Sequence, residues 1–118
     1  MSDCLFCRIV AGEIPCQKVY EDDDMLAFRD IAPARPVHVL IIPKKHITSL
    51  ISVTPDDAPV LGRMLARANQ IAVAEGSPDG FRVIINNGRI GHQEVPHLHI
   101  HVVGGPHPVG TMLKRIQE

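Results

Sequence analysis

The chain has 118 residues, about the commonest length of one folded domain, so we expect residues 1–118 to form a single domain. Its composition, 45% hydrophobic and 21% charged, excludes an intrinsically disordered chain. Twelve basic and thirteen acidic residues leave a net charge of −1, and the lack of a basic excess argues against a nucleic-acid partner.

Hydrophobic periodicity predicts an α+β fold with two helices and about five short, mostly antiparallel strands. The first element is a short helix over 4–11, ended by Gly12. Strand-forming segments follow at 18–21, 25–29, 38–42, 81–86 and 95–103. The acidic turn at 22–24 joins the first two of these strands as a hairpin.

One long helix is predicted between Thr54 and Gly76, because apolar residues recur there at helical spacing. Gly76 suits the position that caps the carboxyl end of the helix. A start at Thr54 would place Pro59 where the first full turn needs a backbone amide. A later start, capped by Asp56 or Asp57, avoids this conflict.

The chain contains three cysteines, Cys4, Cys7 and Cys16, and the residues before them do not resemble a signal peptide. A disulfide framework normally has an even count of cysteines and a secretory context. We therefore expect reduced thiols and a cytoplasmic location. No apolar run approaches the roughly 20 residues of a membrane-spanning helix, so no membrane partner is expected.

Three histidines, His97, His99 and His101, alternate with apolar residues in the last predicted strand and therefore share one face. An exposed polar face is the alternative, although serine, threonine, lysine or glutamate would serve there equally well. The outer two α-carbons of such a strand are about 13 Å apart, so two of the imidazoles could bind one metal ion but not all three. The remaining rings suit nucleophilic or acid–base chemistry, because imidazole titrates near neutral pH.

The clustered histidines also predict an anion site, with phosphate as the expected anion. Neighbouring imidazoles lower each other's pKa, so a row of them holds about one proton among several rings near neutral pH. The loop 86–94 precedes the histidine segment and contains glycine, so it could present backbone amides to phosphate oxygens. The alternative for this loop is a simple turn.

The histidine-triad (HIT) superfamily has the signature His-φ-His-φ-His-φ-φ, with φ apolar, and this chain resembles it at His97-Leu98-His99-Ile100-His101-Val102-Val103. Segments 4–15, 27–33 and 38–46 also resemble the family, and the ending 108–113 is most similar to its bacterial Hint-like branch. The resemblance implies a five-stranded antiparallel sheet with one long and one short helix. It also implies a homodimer in which the sheet continues across the two subunits, through the long helix and the 81–86 edge strand.

The resemblance implies a nucleotide hydrolase that cleaves purine nucleoside phosphoramidates, releasing AMP or GMP from an amine. His99 would be the nucleophile and would form a nucleotidyl-histidine intermediate. His101 would contact the phosphate and assist the leaving amine, which needs a proton. His97 and His38 would orient these two rings.

The same resemblance assigns a nucleotide-binding pocket. Asp30 would accept hydrogen bonds from the ribose hydroxyls. The base would lie against three apolar side chains, and the phosphate oxygens or the leaving group against two amides: Phe6, Ile31 and Leu40, and Asn86 and Gln93. Glu94 stands where many relatives have serine or threonine, so contact with phosphate is expected through its backbone amide. His92 stands where glycine is common and is expected to point into solvent; the alternative is that it adds a positive charge next to the phosphate loop.

Several bacterial relatives of this kind have a structural zinc ion, and their ligands match Cys4, Cys7, His46 and His97 in this sequence. Two thiolates and two imidazoles suit a closed tetrahedral zinc site. The Cys4-x-x-Cys7 spacing by itself also fits two buried thiols or a redox pair.

Other functions stay open at this point. A dinucleoside polyphosphate hydrolase of the same family is the nearest alternative. A nucleotide-binding regulatory or interaction protein is another, although the complete triad argues against it. A nucleotidyl transferase is disfavoured because such relatives typically carry Gln in place of His101. A metal-dependent hydrolase outside the family is disfavoured by the spacing of the three histidines.

Overall fold

One antiparallel sheet with a long helix packed on one face organises the computed structural model, which describes residues 3–111. Met112 and Leu113, part of the ending that resembles the family, lie outside the described residues. The strands run in the spatial order β1-β2-β3-β5-β4. Their bounds are β1 Lys18–Glu21, β2 Met25–Arg29, β3 Val37–Pro43, β4 Arg82–Ile84 and β5 Ile100–Gly104.

The central strand β3 is buried on both faces, because apolar residues occupy consecutive positions along it. Val39 and Ile41 face the long helix α2 (Ala58–Glu75) and belong to the larger apolar core. Leu40 and Ile42 face the other way and pack with Phe6 of the N-terminal helix. The two faces of this strand therefore place a helix on one side and a smaller apolar cluster on the other.

The last strand is shorter than the alternation predicts, since β5 begins at Ile100 and not at residue 95. The Leu98 amide donates to the Ile47 carbonyl at 2.6 Å, and the His97 amide donates to the Val95 carbonyl at 2.8 Å. These bonds replace pairing with β3, so His97 and His99 precede the strand and only His101 lies within it. The prediction for 81–86 was also too long, because β4 covers Arg82–Ile84.

The long helix begins late, as the position of Pro59 predicts. A short 3₁₀ turn at Pro55–Asp57 precedes α2, which spans Ala58–Glu75 with Asp57 at its N-cap. The Asp57 carboxylate accepts a hydrogen bond from the Thr54 amide at 3.0 Å. Gly76 ends the helix with φ +112°, a left-handed conformation that glycine adopts without steric cost.

The N-terminal helix α1 spans Leu5–Val10, and Phe6 is its buried residue. In the hairpin between β1 and β2, the Asp22 carboxylate accepts hydrogen bonds from the amides of Asp24 and Met25 at 2.8 and 3.0 Å.

Within residues 3–111, no helix is both long enough and apolar enough to cross a membrane.

Candidate active site

A cleft of about 560 Å³ opens on the sheet face opposite α2. Its walls are mostly apolar, which is typical of small-molecule sites. Apart from His99 and His101, its polar side chains come from two parts of the chain: Arg29 and Asp30 from the end of β2, and Asn86, His92 and Glu94 from the loop between β4 and β5. The remaining lining residues are Leu5, Phe6, Ile9, Ile14, Pro15, Cys16, Phe28, Ile31, Ala32, Leu40, Val95, His99 and His101.

The middle histidine of the triad, His99, is 6% exposed and lines the cleft. Its Nδ1 lies 2.8 Å from the backbone carbonyl oxygen of His97. A carbonyl can only accept, so Nδ1 carries the hydrogen and the neutral ring keeps a lone pair on Nε2. The ring of Phe6 meets His99 edge-on, with centroids 5.2 Å apart. His99 is therefore held in the tautomer that a nucleophile needs.

The third histidine, His101, receives a hydrogen bond from His38. The Ala34 amide donates to Nδ1 of His38 at 3.0 Å, so the hydrogen of neutral His38 is on Nε2. That Nε2 lies 2.9 Å from Nδ1 of His101. His101 accepts there, and its own hydrogen is on Nε2. The chain of bonds from β3 thus makes His101 a hydrogen-bond donor beside His99.

Burial, together with smaller effects from the neighbouring rings of His99 and His38, lowers the pKa of His101 from 6.5 to about 4. The negative charges of Asp30 and Glu94 act in the opposite direction. His101 is therefore neutral at pH 7 in the ligand-free protein. An anion bound in the cleft would favour the protonated form, since opposite charges stabilise each other.

Asp30 lines the cleft and lies next to His38. Its Oδ1 accepts a hydrogen bond from the Ala32 amide at 2.8 Å, and its Oδ2 is 3.5 Å from Nε2 of His38. Asp30, His38 and His101 lie close enough to hold a metal ion. The proton that His38 carries on Nε2 occupies the position a metal would take, so a hydrogen-bonded network is the better account of this group.

Both ring nitrogens of His97 make contacts inside the protein, although the resemblance to the family places this residue among the catalytic histidines. Its Nε2–H donates to the Pro43 carbonyl at 2.8 Å, which leaves the lone pair on Nδ1. That Nδ1 lies 3.3 Å from Sγ of Cys4 and 3.5 Å from Sγ of Cys7. The residue is 0% exposed, and burial lowers its pKa. His97 therefore supports His99 through its backbone carbonyl.

The four expected zinc ligands come together in the structure. Ligand atoms of Cys4, Cys7, His46 and His97 all lie within 4.8 Å of one another. Nδ1 of His46 is 3.2 Å from Sγ of Cys7. A tetrahedral zinc ion, with bonds of about 2.3 Å to sulfur and about 2.0 Å to nitrogen, separates such atoms by about 3.5 Å. The donor set and its spacing fit this ion.

The other expected pocket residues take different positions. Phe6 and Leu40 line the cleft and are buried, whereas Ile31 lines it and is fully exposed. Asn86 also lines the cleft. Gln93 does not belong to the cleft lining.

The side chain of Gln93 is used within the loop that carries it. Its Nε2 donates to the Thr48 carbonyl at 2.7 Å and to the Val95 carbonyl at 2.9 Å. Its Oε1 accepts from the Gly88 amide at 2.9 Å. These three bonds indicate that Gln93 stabilises the loop between β4 and β5, and they favour this role over a contact with phosphate or the leaving group.

Phe28 and Cys16 line the cleft but were missed in the sequence. Phe28 pairs directly with Leu40 in the register of β2 and β3. The hairpin pattern together with the assignment of Leu40 would have indicated Phe28, but only once that register was known. Cys16 gives no comparable signal, because it lies outside the regular elements.

Comparison with known proteins places these features in a family. A family model for the HIT domain matches residues 11–107. The purine nucleoside phosphoramidase of Escherichia coli strain K12 is 46% identical over 112 residues, 94% of this chain and 93% of that protein. A 14 kDa zinc-binding protein of Brassica juncea is 47% identical over 105 residues, 87% of this chain and 93% of that protein.

A solved structure agrees with the sequence comparisons. The crystal structure of a HIT family hydrolase from Legionella pneumophila matches with a TM-score of 0.84 at 50% identity, covering 89% of this chain and 95% of that one. The family model spans most of the chain, and the alignments with the Escherichia coli and Brassica juncea proteins cover most of this chain and of each relative. This chain belongs to the HIT domain family.

Proposed function

We propose that this HIT-family chain is a hydrolase that splits purine nucleoside phosphoramidates into AMP or GMP and an amine. The observation that carries the proposal is the hydrogen bond from Nδ1 of His99 to the His97 carbonyl. Because Nδ1 carries the hydrogen, Nε2 of this cleft-lining ring has a lone pair that can attack a substrate. The 46% identity to a purine nucleoside phosphoramidase supports the same class of substrate.

In the first step, Nε2 of His99 attacks phosphorus, and the bond from phosphorus to the amine nitrogen breaks. The leaving amine takes a proton, and His101 is the residue beside His99 that can supply it once a bound phosphate anion has favoured its protonated form. In the second step, water attacks phosphorus, the bond from phosphorus to Nε2 of His99 breaks, and the proton released by the water returns to His101. The net reaction consumes one water and needs no other reactant.

The nucleoside is proposed to lie in the apolar part of the cleft. Phe6, Phe28 and Leu40 are buried around it, and their rings and methyl groups suit the flat face of a base. Asp30 lines the same cleft, and its carboxylate can accept two hydrogen bonds from a ribose cis-diol. This orientation leaves the phosphate at His99 and His101.

We also propose that Cys4, Cys7, His46 and His97 hold one structural zinc ion. Their spacing fits the ion, and a relative 47% identical to this chain is called a zinc-binding protein. The ion would cross-link α1 to the segment before β5 and stabilise the fold there.

A homodimer is proposed because β4 forms one edge of the sheet and Val83 on it is exposed. A second copy paired along this edge would continue the sheet to ten strands, with α2 completing the contact. Sedimentation analysis is expected to give a dimer, and Val83→Lys is expected to shift it towards monomer. A monomer for the unaltered chain would contradict this assembly.

The reaction is tested by comparing turnover of adenosine 5′-phosphoramidate with turnover of a diadenosine polyphosphate. We expect the phosphoramidate to be preferred and His99→Ala to abolish its cleavage. His107→Asn is the matched control, because His107 is exposed and lies outside the cleft lining. Intact-mass measurement should detect a nucleotidyl adduct on the unaltered chain and none on His99→Ala. Preference for the polyphosphate, or activity retained in His99→Ala, would contradict the proposal.

A further inference from the structure

The cleft lining contains a carboxylate that the reaction scheme does not use. Glu94 lines the cleft together with His92 and Asn86, which belong to the same loop, and with His101. Its side chain is 80% exposed, and its Oε1 lies 3.6 Å from Nε2 of His92, whose side chain is 89% exposed. Among the described lining residues that the loop between β4 and β5 contributes, Glu94 is the only carboxylate.

The other charged residues of the lining lie at the end of β2. The guanidinium of Arg29 pairs with Glu75 at 2.7 and 3.1 Å, and Asp30 is the proposed ribose ligand. In-line displacement places the leaving group opposite the attacking nitrogen of His99. In the proposed reaction the leaving amine also lies at His101, which supplies its proton.

The charge of Glu94 affects the pKa of His101. The negative charge of Glu94 acts to raise the pKa of His101, against the larger effect of burial. The carboxylate is thus close enough to the reacting groups for its charge to be felt by a substrate bound between them. Its exposure also leaves its oxygens accessible to an incoming cation.

We propose that Glu94 selects the leaving group, favouring amines that carry a second positive charge and disfavouring leaving groups that carry a negative charge. This inference rests on the proposed function, since it names the amine class that the phosphoramidate would carry. Amines with a distal ammonium group are the expected partners, whereas acidic amines and polyphosphate tails are selected against.

The size of the effect follows from Coulomb's law. Two unit charges about 6 Å apart, in a medium between a protein surface and bulk water, change affinity by a factor of about three to ten. A cationic and an anionic leaving group of the same length should therefore differ by about tenfold. The difference should shrink as salt is added, because exposed charges are screened.

The experiment compares kcat/KM for three adenosine phosphoramidates made from 1,4-diaminobutane, pentylamine and 4-aminobutanoate, at pH 8 and low salt. We expect the order cationic, neutral, anionic, with a cationic-to-anionic ratio of about ten. Glu94→Gln should bring this ratio close to one, and Glu94→Lys should reverse it. A ratio near one for the unaltered chain, or an unchanged ratio in Glu94→Gln, would overturn the proposal.

His92→Asn is the matched control, because it removes the neighbouring imidazole and keeps Glu94. Asparagine tolerates the left-handed backbone of this position, where φ is 57°. The ratio in His92→Asn should be at least as large as in the unaltered chain. If the cationic-to-anionic ratio falls to about one in His92→Asn, the imidazole makes the selection and the role proposed for Glu94 is overturned.

A binding measurement separates this proposal from the proposed function. The same three compounds are titrated calorimetrically into His99→Asn, which lacks the nucleophile and leaves them intact. Tighter binding of the cationic compound, lost in the double variant with Glu94→Gln, supports selection by Glu94. Equal binding of all three overturns it. Absence of turnover by the unaltered chain would instead contradict the proposed phosphoramidase activity, with the binding result still deciding the role of Glu94.

Discussion

His38 on β3 donates from Nε2 to Nδ1 of His101 on the neighbouring strand β5, over 2.9 Å. This bond determines which nitrogen of His101 carries the hydrogen that faces the cleft. The Ala34 amide in turn determines the tautomer of His38. The backbone amide of Ala34 therefore decides, through His38, which nitrogen of His101 carries its hydrogen.

The bond between His38 and His101 predicts the effect of replacing His38. We expect His38→Leu to lower kcat/KM about ten- to a hundredfold, because Nδ1 of the half-buried His101 loses its donor. His38→Gln should recover part of the loss, since an amide can accept from Ala34 and donate to His101. Nitrogen-15 NMR should show His101 protonated on Nε2 in the unaltered chain. Protonation on Nδ1 would contradict the assigned network.

Asp30 is predicted to bind the ribose. Asp30→Asn keeps an oxygen for the Ala32 amide but removes the charge, so we expect AMP to bind about tenfold more weakly. The same substitution should change the binding of 2′,3′-dideoxy-AMP by less than about twofold, because that ligand has no hydroxyls to donate. Calorimetric titration measures both. An equal loss for the two ligands would show that Asp30 acts on the cleft as a whole and not on the ribose.

Gln93 is predicted to stabilise the loop through its three hydrogen bonds to backbone groups. Gln93→Ala should lower the free energy of unfolding by about 1–3 kcal/mol, since the partly buried Val95 carbonyl and Gly88 amide lose their partner. Gln93→Glu should destabilise at least as much, because a carboxylate would face two carbonyl oxygens in place of a donor. Urea denaturation measures both effects. If Gln93 contacted phosphate and did not stabilise the loop, Gln93→Ala would leave the free energy of unfolding unchanged and weaken nucleotide binding.

Metal analysis tests the cysteine–histidine cluster. Protein prepared without chelator should contain about one zinc ion per chain, and Cys7→Ser should lower that content strongly. Removal of the ion should lower the midpoint of thermal unfolding and increase hydrogen exchange in α1, whose six residues are too few for a stable isolated helix. Cys16→Ser is the matched control, because Cys16 lies outside the cluster. Zinc-free protein with unchanged stability would contradict a structural ion.

The lowered pKa of His101 predicts a loss of stability in acid. As the pH falls from about 6.5 to about 4, the unfolded chain binds a proton at this residue before the folded chain does. The free energy of unfolding therefore falls across this window, and below it the residue makes no further difference. His101→Gln should make the decline shallower when urea denaturation is repeated at each pH. An identical decline in the variant would contradict the lowered pKa.

Much of the fold could be predicted from local pattern. The hairpin around Asp22, the buried strand β3 and the late start of α2 at Asp57 depend on neighbouring residues, so the sequence indicates them directly. The sequence also pointed to the cleft residues Phe6 and Leu40 through the family resemblance. The limits of β5 were predicted wrongly, because the Leu98 amide bonds to Ile47, which is distant in the sequence.

The sequence by itself determined that three histidines alternate with apolar residues and that two thiols and a further histidine stand at family positions. Only the tertiary structure separated the roles of these histidines. His97 turns its ring to the thiols and its carbonyl to His99, while His101 takes its proton arrangement from His38. Alternation gives all three side chains the same direction, whereas a tautomer depends on the particular atom that each nitrogen meets. Those atoms come from Pro43, Cys4 and His38, which only the folded chain brings into contact.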